Sequence, residues 1–271
     1  MNQLHINKAM LSLSLALAVL LASVSYVGLS TPNFYALESF NWQIQSVGQD
    51  FIDLVVVFPI LVISSFLAYK KRDIFVFVWL GTMVYLVYTF LIYCFAVHFN
   101  SLFIFYCLIL GLIFYSISYF IYVQSRQGIR VTLEKMSIIR TIGYYFLFIS
   151  VSFYLLWIAE IIPSVILNTT PKSLSDTGLL TNPVHVLDLS IVLPGIFIAG
   201  ITLLGRKRIG FFLAPVVLTF FILMDVTIGT LNVVMKQEGL SDSFALTGVM
   251  GALALFSLWL LIQYSKSMRL A

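Results

Sequence analysis

Apolar residues run through this chain in eight long blocks separated by short polar breaks, at residues 9–29, 48–69, 74–97, 102–123, 142–162, 184–204, 211–235 and 244–264. A bilayer core of ~30 Å is crossed by about 20 apolar residues in an α-helix. Each block has that length, and none shows the polar stripe of a helix packed on a soluble core. The pattern predicts an all-α polytopic integral membrane protein of eight transmembrane helices, spans 1 to 8. Block 1 has some features of a signal peptide, with Lys8 before it and the small residues Ala22, Ser23 and Ser25 near its end. Its length exceeds a usual signal core, and it has a counterpart in the second half, so it reads as a retained span.

The basic residues orient the spans. With the N-terminus in the cytoplasm, the inner segments hold Lys8, then Lys70, Lys71 and Arg72, then Arg126, Arg130, Lys135 and Arg140, then Arg206, Lys207 and Arg208, and finally Lys266 and Arg269. Only Lys172 and Lys236 of the 15 basic residues fall outside. This asymmetry places both termini in the cytoplasm and suits a bacterial inner membrane. The net charge of +4 thereby becomes an inner-face property, a match for anionic lipid and not for nucleic acid. Composition agrees: 61% of residues are hydrophobic and 10% charged, with a mean hydropathy of +1.05, whereas soluble domains carry about 25% charged residues.

A shift of 135 positions, from Asp53 to Asp188, aligns the two halves. It carries "DLVVVFP" onto "DLSIVLP", Pro59 onto Pro194, and Lys71–Arg72 onto Arg206–Lys207. The reading is a duplication: a first four-span repeat at 1–125, a cytoplasmic basic linker at 126–141 that lies along the membrane, and a second repeat at 142–271. An even number of spans per half makes the repeats parallel, related by an axis along the membrane normal. Spans 2 and 6 are then equivalent and are expected to face each other across it.

Each repeat places an acid six residues before a proline within a span. Proline lacks an N–H and leaves a helical carbonyl without its donor, so Pro59 and Pro194 are expected kinks that free the carbonyls of Val55 and Ser190. A freed acceptor beside Asp53 or Asp188 needs protein, water or an ion as partner. Intramembrane acids mark functional sites; the competing reading is a hydrogen-bonded lock between the halves. Gln49, Asp50, Asn182, His185 and Glu160 gather at the same outward level, with Asp50 three residues from Asp53 and His185 three from Asp188, shared helix faces in both cases. Asn182 and Pro183 form a helix start. Asp225 stands alone near the middle of span 7, either a proton carrier or a neutral hydrogen-bonded group.

Further features carry less. His98 and His185, with Glu160, Asp53 or Asp188, are the only intramembrane set with metal-ligand character. No cofactor is predicted; a divalent metal is the lesser reading and a haem lesser still. Tyr85 and Tyr88, and the stripe Tyr115, Tyr119 and Tyr122, read as packing and interface anchors. Cys94 and Cys107 read as free buried thiols, with a single bridge as the alternative. No phosphate loop and no GxSxG is present.

At "GQDFIDLVVVFPILVIS" and "TNPVHVLDLSIVLPGIFIAG" the chain resembles a family of bacterial multi-pass membrane proteins of unknown function. The resemblance implies a polytopic prokaryotic membrane protein and no activity. The functional expectation is transport or binding of a small solute or ion at an outward-opening polar site between spans 2 and 6, with Asp53 and Asp188 central. A membrane-embedded hydrolase or transferase acting at the outer leaflet is the alternative, and a non-catalytic subunit of a membrane assembly the third. The expected partners are the lipid bilayer and the solute; no oligomeric state is read from the sequence.

Overall fold

The computed structural model describes residues 4–127 and 131–270. Eight of its helices are long and apolar enough to cross a membrane: span 1 (Lys8–Ser30), span 2 (Phe40–Tyr69), span 3 (Asp73–Ala96), span 4 (Phe103–Gln127), span 5 (Met136–Leu167), span 6 (Pro183–Leu204), span 7 (Arg208–Gln237) and span 8 (Ala245–Ser267). The protein is a multi-pass helical membrane protein. Side chains cap three of these helices where the chain enters them. Asn7 accepts from the Met10 N–H, Ser39 from that of Trp42, and Asn182 from those of Val184 and His185, each satisfying N–H groups that have no partner within the helix.

Spans 5 and 7 extend beyond their apolar blocks at both ends. Span 5 begins at Met136, so part of the expected linker is helix. Strand β1 (Val131–Leu133) pairs antiparallel with strand β2 (Met268–Leu270), and Lys135 N–H donates to Ser267 Oγ at 3.0 Å. A short ribbon thus ties the middle of the chain to its last residues. Arg130 and the side chain of Arg126, both in the expected linker, lie outside the described residues.

The ribbon, the Leu4 N–H bonded to Asp73 Oδ1 at 3.1 Å, and the Gln124 side chain bonded to His5 O gather at one end of the bundle. This basic end carries the turns at Lys70–Arg72 and Arg206–Arg208. The two turns share their hydrogen bonds under the shift of 135. Lys70, Lys71 and Arg72 N–H reach Phe66, Ala68 and Leu67 carbonyls; Gly205, Arg206 and Lys207 N–H reach those of Ile201, Leu203 and Thr202. Lys71 and Arg206 both adopt a left-handed backbone, with φ of 61° and 53°.

Spans 3 and 7 form the centre, the two most enclosed helices of the eight. They pack against each other, and a Cβ on Gly81 would stand 2.7 Å from Val216 O and 2.5 Å from Thr219 Cβ, so only glycine permits this crossing. Spans 2 and 6, expected to face each other, have other main packing partners. Span 2 packs on spans 1, 3 and 7, and span 6 on spans 5 and 7, with its first turn reaching span 3. Bulky aromatics at the centre explain the difference: Trp79, Tyr85, Phe77 and Phe90 of span 3 are fully buried, and burial of such large side chains belongs in the middle of a bundle.

Candidate functional site

Both Asp–Pro segments leave the α-helix in the same way. Residues Asp53–Val57 and Asp188–Val192 each form a π-helical turn, closed by Phe58 N–H to Asp53 O and Leu193 N–H to Asp188 O. Each begins at the acid and ends just before the proline. The wider turn changes which carbonyl the proline orphans. In this register Pro194 faces the carbonyl of Leu189, one residue earlier than the α-helical expectation of Ser190. Tyr154 Oη donates to that Leu189 oxygen at 2.8 Å, which accounts for the acceptor that Pro194 leaves open. Single π-turns inside helices are frequent at functional sites.

The acids of the first half are sealed. Asp50 is 2% exposed and accepts from Tyr35 Oη at 2.6 Å and Tyr93 Oη at 2.8 Å. Burial first, then the adjacent Asp50 carboxylate, raises the Tyr35 hydroxyl well above its usual range, so Tyr35 remains a donor. A Cβ on Gly28 would collide with the same carboxylate, which is why span 1 carries no side chain there. Asp53 is 1% exposed; its Oδ1 accepts from Gln49 Nε2 at 3.0 Å, and its Oδ2 has no partner among the described residues. Gln49 Nε2 also donates to Tyr85 Oη at 2.8 Å, and Tyr85 Oη bonds Thr227 Oγ1 of span 7 at 2.8 Å. This chain of hydrogen bonds ties span 2 to the two central helices.

The second half is open. A cavity of about 600 Å³ descends from the end opposite the basic turns, the distal end, between spans 2, 3, 5, 6, 7 and 8. Gln49, Asn182, His185, Asp188 and Asp225 line it; Asp50, Asp53 and Glu160 do not. Asp188 is partly exposed there and accepts from Trp157 Nε1 at 2.9 Å, with the Tyr88 hydroxyl of span 3 beside it. Asp225 is 8% exposed and its Oδ2 has no hydrogen-bond partner among the described residues. Thr227 and Asn232, close to it in sequence, are committed elsewhere: Thr227 to Leu223 O and Tyr85, Asn232 to Ser243 O, Thr247 and Ser241.

His185 sits at the cavity wall with its ring centroid 4.5 Å from that of Trp157. Its Nε2 is buried, makes no hydrogen bond among the described residues, and lies 3.7 Å from Glu160 Oε2. Glu160 is not at the end of span 5 but two turns inside it, and its Oε1 accepts from Ser173 N–H at 3.2 Å, holding the short helix Lys172–Thr177 in place. Ser39 Oγ donates to Thr177 O at 2.7 Å, so the distal loops of the two halves meet. His98 pairs with Glu38, Nδ1 to Oε2 at 2.9 Å, away from the cavity. Among the described residues no three His, Cys, Asp or Glu side chains converge as metal ligands would. Cys94 and Cys107 are free thiols in neighbouring spans, and Cys107 is exposed on the span surface.

The residues that the sequence reading undervalued are aromatic. Tyr85 and Tyr88 are buried members of the acid networks, Tyr85 accepting from Gln49 and Tyr88 standing beside Asp188, whereas Tyr115 does face outward, 70% exposed. Their spacing, Tyr85, Tyr88 and Tyr93 in one span, puts three phenols deep in a segment that enters the bundle centre, where a hydroxyl needs a partner. Trp157 and Glu38 had no sequence signal of that kind. No family model matches the chain, and no curated protein or solved structure matches it, so the family resemblance and bacterial source expected from the sequence gain no support from relatives.

Proposed function

We propose that this multi-pass membrane protein binds a small solute or ion in the distal cavity, as the outward-facing site of a transporter. The observation that carries the reading is a pair of buried polar atoms at the cavity wall that make no hydrogen bond among the described residues, Asp225 Oδ2 and His185 Nε2. A buried polar atom without a hydrogen bond costs free energy, and a ligand that pairs with it recovers that cost. The matching turns at Lys71 and Arg206 and the matching π-turns support two parallel repeats related through spans 3 and 7. Broken helices at a repeat interface are where transporters hold their solutes. The basic end is then the cytoplasmic face, with both termini there, and the distal end opens outward from a bacterial inner membrane. The site differs from the expected one: Asp188 and Asp225 hold it, and Asp53 and Asp50 brace it.

The test is a thermal-stability screen of the protein in nanodiscs against small amines, carboxylates and sugars, repeated on Ile228→Trp, which fills the cavity wall. A ligand of N raises the midpoint by mass action, and the rise should vanish in the tryptophan variant. The same solute should cross proteoliposome membranes down its gradient. Shifts that persist in Ile228→Trp would place binding elsewhere. A second reading rests on His185 and Glu160: an imidazole nitrogen 3.7 Å from a carboxylate is a base with an orienting partner, the arrangement of an outer-leaflet hydrolase.

A further inference from the structure

The charge pattern of the cavity narrows its ligand. Among the described residues three acids line it, Asp176, Asp188 and Asp225, and no lysine or arginine does. They form a descent: Asp176 exposed at the distal mouth, Asp188 partly exposed below it, Asp225 nine-tenths buried at mid-span. The distal cations are engaged elsewhere or on the surface. Lys236 Nζ donates to Asp242 O and lies 5.9 Å from the Phe244 ring centroid, and Lys172 is exposed at the start of its helix. Among the described residues no lysine or arginine therefore answers Asp225 from the cavity, and its Oδ2 has no hydrogen bond. A carboxyl held away from water and without a partner needs a counter-charge or a proton.

The walls add a second signature. Trp42, Tyr88, Tyr93, Trp157, Phe220 and Phe221 line the same space. Aromatic faces attract cations, tryptophan most strongly and more so where water is excluded. A metal ion would want converging oxygen or nitrogen ligands, and none converge among the described residues. A sugar would want many hydrogen-bonding groups, but the lining is mostly apolar. A volume of about 600 Å³ is that of a pocket for an organic molecule.

We infer that the cavity takes an organic cation, an amine or quaternary ammonium with an apolar or aromatic body, whose charge pairs with Asp225 and Asp188 and whose body lies against the indole and phenyl walls. This rests on the solute-binding reading and deepens it. The cation approaches past Asp176, meets Asp188 where Trp157 already orients the carboxylate, and ends at the free oxygen of Asp225. His185, 7% exposed beside Trp157, contributes a ring and an unbonded nitrogen to the upper wall.

The test uses three probes of one shape: 2-phenylethylammonium, 2-phenylethanol and 3-phenylpropanoate, each titrated calorimetrically into the wild-type protein in neutral-lipid nanodiscs. The ammonium should bind about tenfold or more tightly than the alcohol, and the carboxylate most weakly. In Asp225→Asn and Asp188→Asn the ammonium-to-alcohol preference should shrink to about threefold or less. The wild-type ordering decides the matter even where a variant folds poorly. If the alcohol binds as tightly as the ammonium, or the carboxylate binds best, the cation assignment is overturned while the solute-binding reading stands. If none of the three binds at millimolar concentration, the cation assignment is likewise overturned, and the solute-binding reading is decided by its own screen.

Discussion

Asp53 and Asp188 begin the same π-helical turn in the two halves, yet Asp53 is 1% exposed and Asp188 borders an open cavity. The backbone does not distinguish them; their neighbours do. In the shifted register His185 stands where span 2 has Asp50, and Trp157 stands where span 1 has Ala22. Asp50 is clamped by two phenols and roofed by Gly28, which draws span 1, the first loop and span 3 together. His185 has no such clamp, and Trp157 fills the space beside it with a ring. The helices follow: spans 1 and 4 pack along each other, whereas spans 5 and 8 touch over few residues. One segment is closed around its acids, while the other borders a cavity. The two share a backbone turn, and the side chains packed around it decide which acid is open.

Three perturbations probe this contrast, in falling order of effect. Asp50→Ala removes the acceptor of two buried hydroxyls, and unfolding in mixed micelles should show a loss of about 3–5 kcal/mol. Gly28→Ala should cost about 1–3 kcal/mol by pushing a methyl into that carboxylate and its tyrosine; a neutral result would mean that spans 1 and 2 are not held as close as the structure has them. Tyr85→Phe cuts the link from Gln49 to Thr227 and should cost about 1 kcal/mol. By contrast, Asp188→Asn and Asp225→Asn should leave the unfolding midpoint unchanged or raise it, because acids kept for binding are held at the expense of folding. A large loss in either would make the second half a brace as well.

The helical framework was legible because apolar length is read directly by the bilayer, and all eight blocks became spans. Boundaries shifted most in spans 2 and 5, where polar residues continue the helix beyond the apolar run. The Asp–Pro motif pointed to the irregular turns but not to their π register, which moved the orphaned carbonyl to Leu189. Asn182, His185 and Asp188 were legible as one cluster since all three lie within two turns of one helix. Its completion by Trp157, Tyr88 and Asp225 was not, because those come from three other spans. Asp50 and Asp53 were grouped with the cluster by the shift and by their common outward level, and Tyr35, Tyr93 and Gln49, brought in by the fold, separate them from it. Glu38, bonded to His98, lies in a loop whose docking has no sequence pattern.

The most direct measurement is the labelling rate of Asp188→Cys against Asp53→Cys, each in a Cys94→Ser, Cys107→Ser background, by a membrane-impermeant cationic thiosulfonate added from the outer side of intact cells. The account predicts that the cysteine at 188 reacts readily and is protected by 2-phenylethylammonium, while the cysteine at 53 stays unmodified. Equal labelling of the two, or labelling at 53 alone, would contradict the division between a sealed half and an open one.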